Sequence, residues 1–137
     1  MGLAVDTSAL VTLERANREP DEPAREHAEE LIVPMIVWGE LLLGVHLAEG
    51  AHAARRRAWL ERARALLRLV PIDEPVIERY AALRADPQRA GTPIPTNDFL
   101  IAATALALEF GVLVSPLNEA HYRKVPGLRV ELLRLAA

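Results

Sequence analysis

The stretch Thr96-Asn97-Asp98-Phe99-Leu100-Ile101-Ala102-Ala103-Thr104-Ala105-Leu106-Ala107-Leu108-Glu109-Phe110-Gly111-Val112-Leu113-Val114 carries two patterns in succession. Thr96, Asn97 and Asp98 are polar residues of the kind that start a helix, apolar residues recur at helical spacing to Phe110, and Gly111 is a stop signal. Val112-Leu113-Val114 then reads as a short buried strand. A helix running directly into an apolar strand is half of a β–α–β unit, and the other half is visible at the beginning of the chain. There Leu3-Ala4-Val5 reads as a strand ending at Asp6, and Ser8–Arg15 has helical spacing.

The stretches between continue the alternation. Asp21-Glu22-Pro23 looks like a helix start, with Ala24–Glu30 a short polar helix before the apolar triplet Leu31-Ile32-Val33. Pro34 opens a helix to about Ala48, whose apolar residues Ile36, Leu43 and Leu47 are expected to meet the core, and Gly50 separates it from an arginine-rich helix over Ala51–Leu67. Those two helices form a hairpin. Leu69–Ile72 reads as a second strand, Glu74–Asp86 as a helix with Val76, Ile77, Tyr80 and Leu83 on one face, Pro87–Pro95 as loop, and Leu128–Leu132 as a fourth strand after Val112–Val114. Parallel strands joined by helices predict an α/β fold, a three-layer α/β/α sandwich with a short parallel sheet, in one domain over residues 1–137. Its sites are expected beyond the carboxyl ends of the strands.

Composition agrees with a packed core: of 137 residues, 51% are hydrophobic and 26% charged. The absence of cysteine removes disulfides, thiolate nucleophiles and Cys-ligated metal, so any metal here is held by oxygen or imidazole. No apolar run reaches the roughly 20 residues of a membrane span, and no export signal stands at the N-terminus, so a cytoplasmic, soluble protein is expected. The net charge of −3 does not favour nucleic acid, but between Ala51 and Val70 six arginines stand against the single acid Glu61, a local charge of +5. Arg55, Arg56 and Arg62 in this segment are candidate contacts for RNA phosphates; a solvated helix face or a contact for an acidic partner is the alternative. His27, His46, His52 and His121 have no metal-binding spacing and are expected at the surface or behind the site.

Three carboxylates are out of place for a core of this kind. Asp98 starts its helix with Ile101, Ala102 and Ala105 at i+3, i+4 and i+7, so it shares a face with a small apolar stripe; taken alone, it is an acid stabilising the helix dipole. Asp6 follows a strand and has a similar reading as a helix cap. Glu40 lies mid-helix, with Ile36, Leu43, Gly44 and Leu47 on its face, where an unpaired charge is costly. A buried salt bridge to an arginine is one solution, and a metal cluster with Asp6 and Asp98 is the other. Three anions gathered without counter-charge repel one another, and a divalent cation such as Mg²⁺ or Mn²⁺ relieves that. Such an ion activates water for phosphodiester hydrolysis.

These residues resemble the PIN domains, and among them the VapC-type toxin ribonucleases of toxin–antitoxin pairs. The resemblance rests on Val5-Asp6-Thr7-Ser8, on Pro34–Gly44 around Glu40, on Ile94–Ala105 around Asp98, and on Val125-Pro126-Gly127-Leu128. It implies a PIN-like fold and a Mg²⁺-dependent endoribonuclease, with Mn²⁺ as a substitute, in which Asp6, Glu40 and Asp98 bind the metal. Thr7, Ser8 and Asn97 would orient those carboxylates and the bound water, and Ser115 would neighbour the site. A fourth site residue after Val112–Val114 is implied too; Asn118 is preferred there, with Glu119 as the alternative, because Pro116-Leu117 interrupts the stretch. The implied partners are an RNA substrate (tRNA, rRNA or mRNA), an antitoxin protein and a second copy of the chain. An apolar strip around Trp38, Leu41, Leu42 and Val45 is expected to receive a partner.

Other classes fit less well. A phosphatase of the haloacid-dehalogenase type needs a second aspartate two residues after the first, where Ser8 stands. A phosphoacceptor receiver needs an acid pair at the first strand and a late lysine, and the one lysine here is Lys124. The alternative that remains is a PIN-fold module that binds RNA or protein without cutting, its metal site degenerate at the fourth position.

Overall fold

A computed structural model of the chain describes residues 1–86 and 94–135. The loop expected over Pro87–Pro95 lies outside them except for Ile94 and Pro95. In chain order the elements are β1 (Gly2–Val5), α1 (Thr7–Arg15), α2 (Glu22–His27), β2 (Glu30–Pro34), α3 (Met35–Leu47), α4 (Gly50–Leu66), β3 (Arg68–Val70), α5 (Glu74–Ala85), α6 (Thr96–Ala107), β4 (Gly111–Val114), a 3₁₀ turn (Pro116–Asn118), α7 (Glu119–Arg123) and β5 (Val130–Leu132).

The five strands form one sheet in the order β3-β2-β1-β4-β5, and every pairing is parallel. Leu3, Ala4 and Val5 are fully buried, as are Val112, Leu113 and Val114, which is why both central strands read as unbroken apolar runs. The chain adds β2 and β3 on one side of β1, then returns to add β4 and β5 on the other. The direction of winding therefore reverses between β1 and β4, where an open crevice is expected at the carboxyl ends of the strands.

Three expectations need correction. Leu31-Ile32-Val33 is a strand, so the sheet has five strands among the described residues rather than four; α2 stops at His27, where Ala28 adopts a left-handed conformation (φ 53°). The helix from Thr96 stops at Ala107, and Glu109, not Gly111, takes the left-handed turn (φ 59°), which leaves Gly111 as the first residue of β4. In α3 the buried face is Val37, Leu41 and Val45, whereas Leu43 and Leu47 are 57% and 75% exposed. The strip expected to receive a partner is thus partly core: Leu41 and Val45 are buried, and Trp38 and Leu42 pack against the core.

The charged segments are matched to each other. Arg62 of α4 pairs with Glu19, Arg68 with Glu30, and Arg129 with both Glu29 and Glu131. The acidic and basic stretches therefore meet across the fold. Among the described residues no helix is long and apolar enough to cross a membrane.

Candidate active site

Asp6 follows β1 directly and caps α1, its carboxylate accepting from the Ser8 backbone N–H at 3.3 Å. A chain leaving a buried parallel strand must turn into a helix here, and a capping aspartate satisfies one of the amides that the first turn leaves free. The backbone N–H of Asp6 donates to Leu113 of β4 at 2.9 Å, which pins the residue to the crevice where the winding reverses. Asp6 is 1% exposed. Its Oδ2 also receives the Ser8 hydroxyl and, at 3.2 Å, the Asn118 amide, while its Oδ1 receives the Tyr122 hydroxyl at 2.8 Å.

The other two acids arrive from separate helices. Asp98 lies in the first turn of α6, which runs antiparallel to the strands and so presents its N-terminus at their carboxyl ends. Ile101, Ala102 and Ala105 behind it are wholly buried, and His121 Nδ1 lies 2.7 Å from Asp98 Oδ2. Glu40 is half-buried on the flank of α3 and accepts from the Thr7 hydroxyl at 2.6 Å. Among the described residues it pairs with no arginine. Arg56 reaches the same cavity of about 30 Å³, lined also by Val11, Gly44 and Trp59, but binds Glu14 at 2.6 Å.

The electrostatics show that the three acids share a field. Burial is the main cause that raises the Asp98 carboxyl above the usual range for aspartate; the hydrogen bond from His121 opposes it, and the charges of Asp6 and Glu40 add to it. The Tyr122 phenol is driven far above its ordinary value by burial and by the same three carboxylates, so it stays protonated and remains a donor.

Most of the residues singled out from the sequence stand at this crevice: Asp6, Thr7, Ser8, Glu40, Asp98, Ser115 and Asn118. Ser115 is 4% exposed; its backbone N–H lies 3.3 Å from Ser8 Oγ, and its own hydroxyl is buried without a hydrogen-bond partner among the described residues. Glu119, the alternative to Asn118, is drawn away to Arg123 at 3.0 Å. Asn97 is half-buried and makes no side-chain hydrogen bond among the described residues. Of the arginines, Arg56 and Arg62 are held by Glu14 and Glu19, whereas Arg55 is exposed beside a groove lined by Arg15, Asn17 and His52. His121 and Tyr122 carried no motif of their own. They follow Asn118 by three and four residues, which is one helical turn, and that spacing was the available signal.

The family model for the PIN domain matches residues 3–125. The chain belongs to the PIN domain family. Among curated proteins, this PIN domain is 34% identical over 125 residues to the ribonuclease VapC4 of Mycobacterium tuberculosis, covering 91% of this chain and 92% of that one. It is 30% identical over 131 residues to the ribonuclease VapC1 of Rickettsia felis, covering 95% of each. Among solved structures, it superimposes with a TM-score of 0.83 on a chain of the Rickettsia felis VapBC2 complex bound to a promoter DNA fragment, at 20% identity and over 98% of this chain and 100% of that one. A DNA-bound VapBC from Salmonella typhimurium gives the same TM-score at 22% identity, over 96% and 98%. At such identities the structural likeness speaks for the fold of this PIN domain, a five-stranded parallel sheet flanked by helices.

Proposed function

We infer that this PIN domain, as one domain over residues 1–137, is a divalent-metal-dependent endoribonuclease and the toxin of a toxin–antitoxin pair. The observation that carries the reading is the convergence of Asp6, Glu40 and Asp98 on one crevice, where Thr7, next to Asp6, bonds Glu40 and where the charges of Asp6 and Glu40 add to burial in raising the Asp98 carboxyl. The names of the relatives, ribonuclease VapC, support the same chemistry, and the name of a structural neighbour from Mycobacterium tuberculosis, a member of the VapBC family of toxin–antitoxin systems, supports an antitoxin partner; the cytoplasm as the compartment is part of this proposal.

The donors fit Mg²⁺ or Mn²⁺: the three carboxylates offer oxygen alone, the chemistry that hard divalent cations prefer, and Asn118, whose amide N–H is given to Asp6, has its carbonyl oxygen left as a further donor. Among the described residues no three acidic or imidazole side chains enclose a single point. The charge of Asp6 acts on Asp98 more strongly than that of Glu40, so Asp6 and Asp98 would be the direct holders, with Glu40 farther out, a pattern suited to Mg²⁺, which keeps several of its waters. When bound, such an ion supplies charge screening at the phosphate and a water of lowered pKa.

The chain's own groups have distinct work. Ser8, Asn118 and Tyr122 fix the carboxylate of Asp6, His121 fixes that of Asp98, and Thr7 holds Glu40 toward the crevice. Glu40, with a hydroxyl rather than a guanidinium as its partner, is available to accept a proton from an attacking water. No side-chain nucleophile is required. RNA approaching the acidic crevice needs cationic guidance, for which exposed Arg55 is better placed than the paired Arg56 and Arg62.

The test is cleavage of a mixed tRNA and rRNA pool by the purified, partner-free chain with Mg²⁺ or Mn²⁺, against EDTA and a D6N control. Metal-dependent cutting lost in D6N is expected. A folded chain that cuts with neither metal would overturn the reading in favour of a non-cleaving binding module.

A further inference from the structure

Asp6 is almost completely buried, so its orientation is set by what surrounds it and not by solvent. The terminal torsion of an aspartate is broad, and the plane of its carboxylate needs an external constraint. A carboxylate offers about four lone-pair positions. Here Oδ2 receives three donors, the Ser8 N–H, the Ser8 hydroxyl and the Asn118 amide, and is saturated. Oδ1 receives one, the Tyr122 hydroxyl at 2.8 Å, and keeps a lone pair. Any cation held by Asp6 must therefore be held through Oδ1, the atom that Tyr122 touches.

Tyr122 is built to act as a fixed point. Its side chain is wholly buried, among the largest such side chains in the fold, and it reaches Asp6 from the short helix α7, 116 residues along the chain. A phenylalanine would fill the same space in the core, so packing alone does not explain the hydroxyl. Among the described residues, the hydrogen bond that this oxygen makes is the one to Asp6.

We propose that Tyr122 is the positioning residue of Asp6, its hydroxyl holding Oδ1 so that the carboxylate presents one lone pair to a divalent cation. The inference rests on the metal-dependent reading above and deepens it. Removing the hydroxyl leaves Oδ1 unheld, so the carboxylate plane turns about the Oδ2 contacts to Ser8 and Asn118, which costs affinity for the ion without altering how RNA is bound.

The test is Mn²⁺ binding to the purified chain, followed by electron paramagnetic resonance, for wild type, Y122F, D6N and the double variant. Y122F is expected to weaken Mn²⁺ binding about tenfold with an unchanged circular dichroism spectrum, to lower kcat at limiting metal with KM for RNA unchanged, and to recover kcat in excess metal. In the D6N background the same change should add no further loss, because the hydroxyl acts through Asp6. Equal affinity of Y122F and wild type, an additional loss in the double variant, or a Y122F chain that fails to fold would overturn the proposal. If D6N binds Mn²⁺ as wild type does, the metal reading itself fails, and that outcome is distinct from the others.

Discussion

His121 Nδ1 lies 2.7 Å from Asp98 Oδ2, so the turn after β4 holds the acid that begins α6. The contact lowers the Asp98 pKa, yet burial and the neighbouring Asp6 and Glu40 outweigh it and the net direction is upward. The folded protein therefore binds a proton at Asp98 more readily than the unfolded chain does. Without metal, this group's contribution to stability is greatest below the unfolded aspartate pKa and declines as pH rises through the raised folded value.

In EDTA the melting temperature of wild type should accordingly fall as pH rises across that interval, by an amount that D98N abolishes. D98N at neutral pH should melt higher by on the order of 3 °C, since 1 kcal/mol moves a domain of this size by roughly that much. The same variant should lose cleavage. Differential scanning fluorimetry and an RNA assay read the two effects, and a D98N chain that cuts normally would sink Asp98 as a site residue.

Thr7→Val removes the hydroxyl that holds Glu40 while keeping the shape of the side chain. Cleavage should fall roughly tenfold, the equivalent of about 1.4 kcal/mol for a hydrogen bond to a charged group. Circular dichroism should not change. An unaltered rate would mean that Glu40 needs no anchor.

Gly111 and Gly44 should respond differently to alanine. A Cβ at Gly111 would stand 2.8 Å from the backbone oxygen of Arg129, part of the β4–β5 junction, which cannot move aside; G111A should cost about 1–3 kcal/mol in urea unfolding. At Gly44 the close atom is the end of the Arg56 guanidinium at 2.9 Å, which is flexible, so G44A should stay within about 0.5 kcal/mol of wild type.

Arg55→Ala should weaken RNA binding and reduce the salt slope by about 1, the signature of one phosphate contact. Arg62→Ala should leave both nearly unchanged, because Glu19 already neutralises that guanidinium at 2.5 Å. Binding titrations at several salt concentrations separate the two.

Several of the differences between expectation and structure have one cause. Residues 31–33 lie between a polar helix and a proline, too short for either periodicity to show, and a strand buried on both faces has no alternation to display. In α3 apolar residues occur on every side, so the buried face, Val37, Leu41 and Val45, could not be separated from exposed Leu43 and Leu47. Glu40 was legible as an anomaly in that helix. Its partner was not, since Thr7 is 33 residues away.

By itself the sequence determined the alternation of strands and helices, the parallel sheet, and the placement of Asp6 and Asp98 at strand and helix ends. These are local matters: apolar runs, capping residues and turn signals act within a few positions of one another. Only the tertiary structure decided which oxygen of Asp6 meets Tyr122, that Asn118 and not Glu119 faces it, and that Arg56 is taken by Glu14 before it can reach Glu40. Those choices depend on side chains brought together across 42 to 116 residues, and hydrogen bonds of that range exist only after the core has packed.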